Sequence, residues 1–144
     1  MGLVALPGGS AVDPALIGAQ AVQDFEQELV DQYALAMSAA GLTDRHIGAT
    51  RAIVIEFARS LSTPLWEATC ADADAFLAQQ RRMGLSVSTR AGKAGAVAGF
   101  YEFVITRYGG TIRRATGALV EQPIDEFNRQ SGGIAGQGPG AAVG

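Results

Sequence analysis

Two clusters of hydroxyl and basic side chains stand where helices are expected to begin. Thr43-Asp44-Arg45-His46 is followed one turn later by Thr50-Arg51, and Ser86-Val87-Ser88-Thr89-Arg90 is followed by Lys93. Hydroxyls, backbone N–H groups without helical partners and cationic side chains at a helix start suit a phosphate oxygen. Arg and Lys at three- or four-residue spacing also suit base edges in a DNA major groove. The remaining chemistry-bearing residues form no such sets. His46 and Cys70 are the single histidine and the single cysteine, which excludes an internal disulfide and leaves no zinc ligand set. Asp72 and Asp74 are two residues apart and face different sides of a helix, a poor general acid–base pair. Gly92-Lys93-Ala94-Gly95 has neither the preceding strand nor the Lys-Ser/Thr ending of a phosphate loop. Cys70 lies at an expected helix start, which would lower its thiol pKa, yet no base accompanies it and a small core residue is the plainer reading. No catalytic set and no cofactor are expected, and Tyr33, Tyr101 and Tyr108 are expected to be structural.

The elements that must carry these clusters are helical. Asp13-Pro14 is a start signal, and Val22, Phe25, Leu29, Tyr33, Ala36 and Ala40 recur at helical spacing up to Gly41. Thr43 caps a second helix whose inward stripe reads Ile47, Val54, Phe57 and Leu61, and Ser62-Thr63-Pro64 ends it. Leu65 and Trp66 form a plug in the connection. Thr69-Cys70-Ala71-Asp72 resembles a capping box opening a third helix, with Ala73, Phe76, Leu77 and Met83 inward and Gly84 at its end. Ser86 or Ser88 caps a fourth, with Val97, Phe100, Val104 and Tyr108 inward and Gly109-Gly110 closing it. Gly92, Gly95 and Gly99 inside that helix each cost about 1 kcal/mol relative to Ala and suggest close approach of another backbone. One short turn is expected around Pro123. The expected organisation is an N-terminal tail over 1–12, one all-α domain over 13–130 and a Gly-rich disordered tail over 131–144.

Composition sets the partner class. The chain has 144 residues, 48% hydrophobic and 17% charged, enough to bury one core. No apolar run is long enough to span a membrane and no leader is expected, so the reading is a cytoplasmic protein. The net charge of -3 hides a strong asymmetry. Residues 1–80 carry 10 acidic and 3 basic side chains, whereas residues 81–114 carry 7 basic ones against Glu102 alone. Such a block points toward an anionic partner, although basic runs are more often a solvated face.

A family resemblance agrees with that direction. Gly41-Leu42-Thr43, Thr50-Arg51 and Ile55-Glu56-Phe57 look like the opening of the core-binding domain of tyrosine recombinases, the phage-integrase family. Ala73-Asp74-Ala75-Phe76-Leu77, Gly84-Leu85-Ser86-Val87-Ser88-Thr89 and Ala96-Val97-Ala98-Gly99-Phe100-Tyr101-Glu102-Phe103-Val104 resemble that domain's third and fourth helices. Pro123-Ile124-Asp125-Glu126-Phe127-Asn128 looks like its exit segment. The resemblance covers roughly residues 20–130. It implies a SAM-like four- to five-helix bundle that clamps duplex DNA during DNA integration or recombination, with its second and fourth helices toward the major groove. The DNA contacts it implies are Thr50, Arg51, Ser88, Thr89, Arg90 and Lys93, and the cluster at the second helix start adds Arg45. The family's catalytic domain, with its Arg, Lys, His and Tyr set, has no counterpart after residue 114, where Arg129 and the glycine-rich tail follow. The expected function is therefore non-catalytic binding of double-stranded DNA, alongside a recombinase catalytic domain or further protomers. The alternative is a helical protein–protein interaction module whose basic patch meets an acidic chain.

Overall fold

The structure is a computed structural model that describes residues 14–133. Asp13, the tail expected over 1–12 and residues 134–144 lie outside the described residues. Five α-helices are present and no strand among the described residues: α1 (Pro14–Ala39), α2 (Asp44–Ser60), α3 (Cys70–Arg82), α4 (Val87–Thr116) and α5 (Glu126–Gly133). A single 3-10 turn, Leu65–Glu67, joins α2 to α3. The architecture is the expected all-α bundle.

The helix starts are set by side-chain caps that satisfy otherwise orphan backbone N–H groups. Thr43 accepts from the His46 N–H at 3.1 Å. Thr69 accepts from the Asp72 N–H while the Asp72 carboxylate accepts from the Thr69 N–H, a reciprocal capping box. Ser86, rather than Ser88, caps α4 by accepting from the Thr89 N–H at 3.2 Å. Gly41 and Gly84 end α1 and α3 with φ of 90° and 88°, a conformation that L side chains resist. Gly18, with φ 83° and ψ 174°, interrupts the first turns of α1, a kink that periodicity did not signal.

The longest helix departs from expectation at its end. Gly109-Gly110 does not close α4; the helix continues through them to Thr116 and stops at Gly117 in the left-handed conformation. Two helical glycines cost only about 2 kcal/mol together. The extension buries Ile112 and Ala115, and apolar burial of that size outweighs the cost. At 30 residues, α4 is about 45 Å long and is the spine of the bundle.

The core gathers around the α2–α3 connection. Leu65 and Trp66 are buried as a plug, with Trp66 tilted against Phe25 at 5.3 Å between ring centroids. Leu65 is pinned at both backbone groups: its N–H donates to Glu26 of α1 at 2.8 Å, and its carbonyl accepts from the Tyr101 hydroxyl of α4 at 2.6 Å. Desolvation raises the Glu26 pKa, an effect the Leu65 N–H partly offsets. Phe57 stands edge-on to both Phe76 and Tyr101, which ties α2, α3 and α4 together.

Two details of the inward stripes differ from expectation. Met83 is exposed rather than inward, because it is the residue that caps α3. The glycines of α4 do not meet another backbone: a side chain on Gly99 would meet the Tyr33 hydroxyl at 2.7 Å, and Gly92 faces open space. Tyr33 lies over this part of α4, packed on Phe100 and Phe103.

Beyond Gly117 the chain runs without regular structure to Asp125 and buries Val120, Pro123 and Ile124. The single turn expected around Pro123 is instead this packed segment followed by α5. Helix α5 starts with a reciprocal cap in which Asp125 accepts from the Phe127 and Asn128 N–H groups and Asn128 accepts from the Asp125 N–H. Asn128 also donates to Asp74 of α3 at 3.1 Å. Residues 131–133, assigned to the tail on sequence, are the last turn of α5.

Candidate nucleic-acid interface

The fold does not present the seven candidate contacts as one surface. Thr50 lies between Ile47 and Val54 on the inward stripe of α2, only 6% exposed, with its hydroxyl 3.4 Å from the His46 ring. It is withdrawn from any partner. Arg51, on the flank of α2, is ion-paired with Asp31 of α1. Lys93 is half-buried in a three-residue network, donating to Glu56 at 2.8 Å and to Gln80 at 2.7 Å. Gln80 is itself only 3% exposed, and Lys93 and Glu56 satisfy its amide. These two cations therefore join helices through carboxylate partners, Arg51 at the surface and Lys93 part-buried.

The other candidates remain at the surface. Arg45 is exposed in the first turn of α2. Ser88 and Thr89 are exposed in the first turn of α4, with their hydroxyls gathered around the capping Ser86 at 3.3 and 3.0 Å. Arg90 arches back over the α3–α4 turn, one guanidinium nitrogen donating to the Leu85 carbonyl at 2.7 Å. Its ion-pair capacity is unused among the described residues.

Two arginines outside the expected set complete the cationic surface. Arg81, in the last turn of α3, lines the same open cleft as Arg90, with Asp74, Leu77 and Phe127. Its volume is about 470 Å3. Arg129 of α5 lays its guanidinium along α4, 3.8 Å from where a side chain on Gly95 would begin. Neither Arg81 nor Arg129 is ion-paired among the described residues. Arg113 and Arg114 are far from the cleft, because the unbroken α4 carries them about 35 Å from Arg90. Arg107 lies over the Phe103 ring at 5.4 Å. The basic run of the sequence is therefore two separate regions in space.

Comparison of the chain with known protein families, with characterised proteins and with solved structures finds no match. Among the described residues no three His, Cys, Asp or Glu side chains gather to hold a metal ion. No described helix is long and apolar enough to cross a membrane.

Cys70 departs from the activated thiol that a helix start suggests. Burial pushes its pKa up, and Asp125, Asp74 and Glu121 push it further in the same direction. Its thiol points to the Gln122 carbonyl at 3.7 Å. Alkylation of the native protein by iodoacetamide is expected to be slower than that of the urea-unfolded chain at pH 8, and to keep rising with pH where an ordinary thiol has levelled off. A plateau below pH 8 in the native protein would contradict this environment.

Proposed function

We propose that this chain is a non-catalytic module that binds double-stranded DNA, in the manner of the recombinase core-binding domains its sequence resembles. On this reading it serves DNA integration or recombination beside a catalytic domain supplied elsewhere. The observation that supports the reading best is the cleft lined by Arg81 and Arg90, two cations from different helices with no carboxylate ion-paired to either among the described residues. Exposed Ser88 and Thr89 at the start of α4 extend it with hydroxyl donors. Together these are the groups that hold phosphate oxygens and fix a protein on a duplex.

The proposed contacts are Arg81, Ser88, Thr89 and Arg90, with Arg45 and Arg129 as outlying cations. Arg51 and Lys93 act through the fold, and Thr50 through the core. The test compares two double substitutions for affinity to a short duplex at low salt. Arg81→Ala/Arg90→Ala is expected to weaken binding at least tenfold, on the order of two lost charge-assisted contacts. Arg113→Ala/Arg114→Ala, at the distant end of α4, is expected to change it less than threefold, on the order of a screened long-range effect. Both variants must keep wild-type helicity. Equal losses in the two would place the interface elsewhere, and no binding by the wild type would favour the protein-interaction reading.

A further inference from the structure

Phe127 stands in the first turn of α5 with 75% of its surface exposed, the most exposed large apolar side chain among the described residues. It is not loosely placed. The Asp125–Asn128 cap fixes the turn that carries it, and Asn128 fastens that turn to Asp74 of α3. A capped first turn therefore presents a bare aromatic ring at the lip of a cleft. Arg81 and Arg90 line that cleft together with Asp74, Leu77, Ala78 and Asn128. Arg129, two residues beyond Phe127, faces α4 at Gly95 and does not line the cleft.

We infer that this cleft takes one unpaired nucleotide, its base stacked on Phe127 and its phosphate held by Arg81 and Arg90. The combination of groups favours a nucleotide over an acidic peptide. A peptide carboxylate would meet the arginines, but it brings nothing for an exposed ring. A nucleotide brings an anion for the arginines and a π-face for the ring, since every base stacks on an aromatic side chain. Adenine, cytosine and guanine also bring an exocyclic amino group, a donor that Asp74 can accept while keeping its bond from Asn128. Thymine has no such amino group, so the cleft prefers amino-bearing bases. The inference deepens the DNA-binding reading of the same cleft. It rests on that reading's assignment of Arg81 and Arg90 to phosphate and does not require the duplex to be the tighter ligand.

The experiment uses the full chain and fluorescence anisotropy with labelled 12-nucleotide probes: oligo-dA, oligo-dC, oligo-dT and a mixed-sequence duplex. Wild type is expected to bind oligo-dA and oligo-dC more tightly than oligo-dT. Phe127→Ala is expected to weaken single-strand binding about 5- to 150-fold, the range for loss of one base–aromatic stack, and to leave duplex binding within threefold, on the order of experimental scatter in such contacts. The side chain is exposed, so the fold should survive, and circular dichroism checks this. Phe127→Trp keeps an aromatic face and adds a fluorophore. Because the native Trp66 is buried, quenching of the added indole on oligo-dA reports stacking directly. Duplex binding with single-strand affinity indifferent to Phe127→Ala would overturn the nucleotide cleft alone. Absence of binding to every probe would overturn the DNA-binding reading itself. Displacement of oligo-dA by poly-glutamate at equal charge concentration would overturn both in favour of an acidic protein partner.

Discussion

Trp66→Ala is expected to lower the stability of the protein by about 3–5 kcal/mol, the range for removing a buried aromatic side chain. Domains of this size have about 5–15 kcal/mol in total, so the loss approaches unfolding. The reason lies in the position of the residue. Trp66 is 2% exposed, packs on Phe25 of α1 and sits beside Leu65, whose backbone is bound by Glu26 and Tyr101. Removing the ring empties the point where α1, α2 and α4 meet. The indole N–H has no hydrogen-bond partner among the described residues, and a buried donor without one carries a desolvation cost of about 1–3 kcal/mol. Trp66→Phe removes that donor along with some volume, so it is expected to cost less than half as much as Trp66→Ala. Urea unfolding followed by far-UV circular dichroism measures both. Equal losses for the two variants would contradict the assignment of the ring volume of Trp66 as the main source of the loss.

The second large effect separates fold from binding at Lys93. Lys93→Met keeps the aliphatic stem and removes the ammonium that Glu56 and the buried Gln80 share. A loss of about 1–3 kcal/mol is expected, since a nearly buried amide and a carboxylate lose their common donor. Glu56→Gln/Lys93→Met is expected to recover part of it, because the unpaired charge is removed while an acceptor for the Gln80 amide is kept. Duplex affinity of the folded Lys93→Met protein is expected to stay within threefold of wild type, on the order of a single screened charge. A Lys93→Met protein of unchanged stability with tenfold weaker DNA binding would return Lys93 to the interface and contradict its structural assignment.

These two sites mark where the sequence was legible and where it was not. The caps at Thr43, Thr69 and Ser86, the breaks at Gly41 and Gly84 and the Leu65–Trp66 plug are local signals, each decided by a few neighbouring residues. They were readable for that reason. The stripe of α2 also contained a missed clue, because Thr50 falls between Ile47 and Val54 at the same three- and four-residue spacing. Its hydroxyl suggested a contact, whereas its position dictated burial. Gln80 follows Phe76 and Leu77 in the same way on α3.

The internal ion pairs were out of reach. Arg51 meets Asp31 twenty residues away, and Lys93 meets Glu56 at a separation of 37, so no local pattern distinguishes them from free cations. The end of α4 lies past Gly109-Gly110 because the apolar residues that follow outweigh two helical glycines, a balance that the glycine signal alone does not show. Phe127 and Arg129 acquire meaning only when α5 folds back onto α3 and α4, a return that depends on burial of Val120, Pro123 and Ile124. The basic stretch behind the charge asymmetry is split into two ends by a helix about 45 Å long, on the order of its 30 residues at helical rise.

The most direct test of the central claim is a salt titration of wild-type affinity for a short duplex, repeated with Arg81→Ala/Arg90→Ala. Each neutralised phosphate releases condensed counterions, so log K falls linearly with log salt by about 0.9 per contact. The expected result is a clear negative slope for the wild type and a slope about 2 shallower for the double variant, one step per lost contact. No measurable binding at the lowest salt, or a slope left unchanged in a double variant of wild-type helicity, would contradict a DNA interface at the α3–α4 turn.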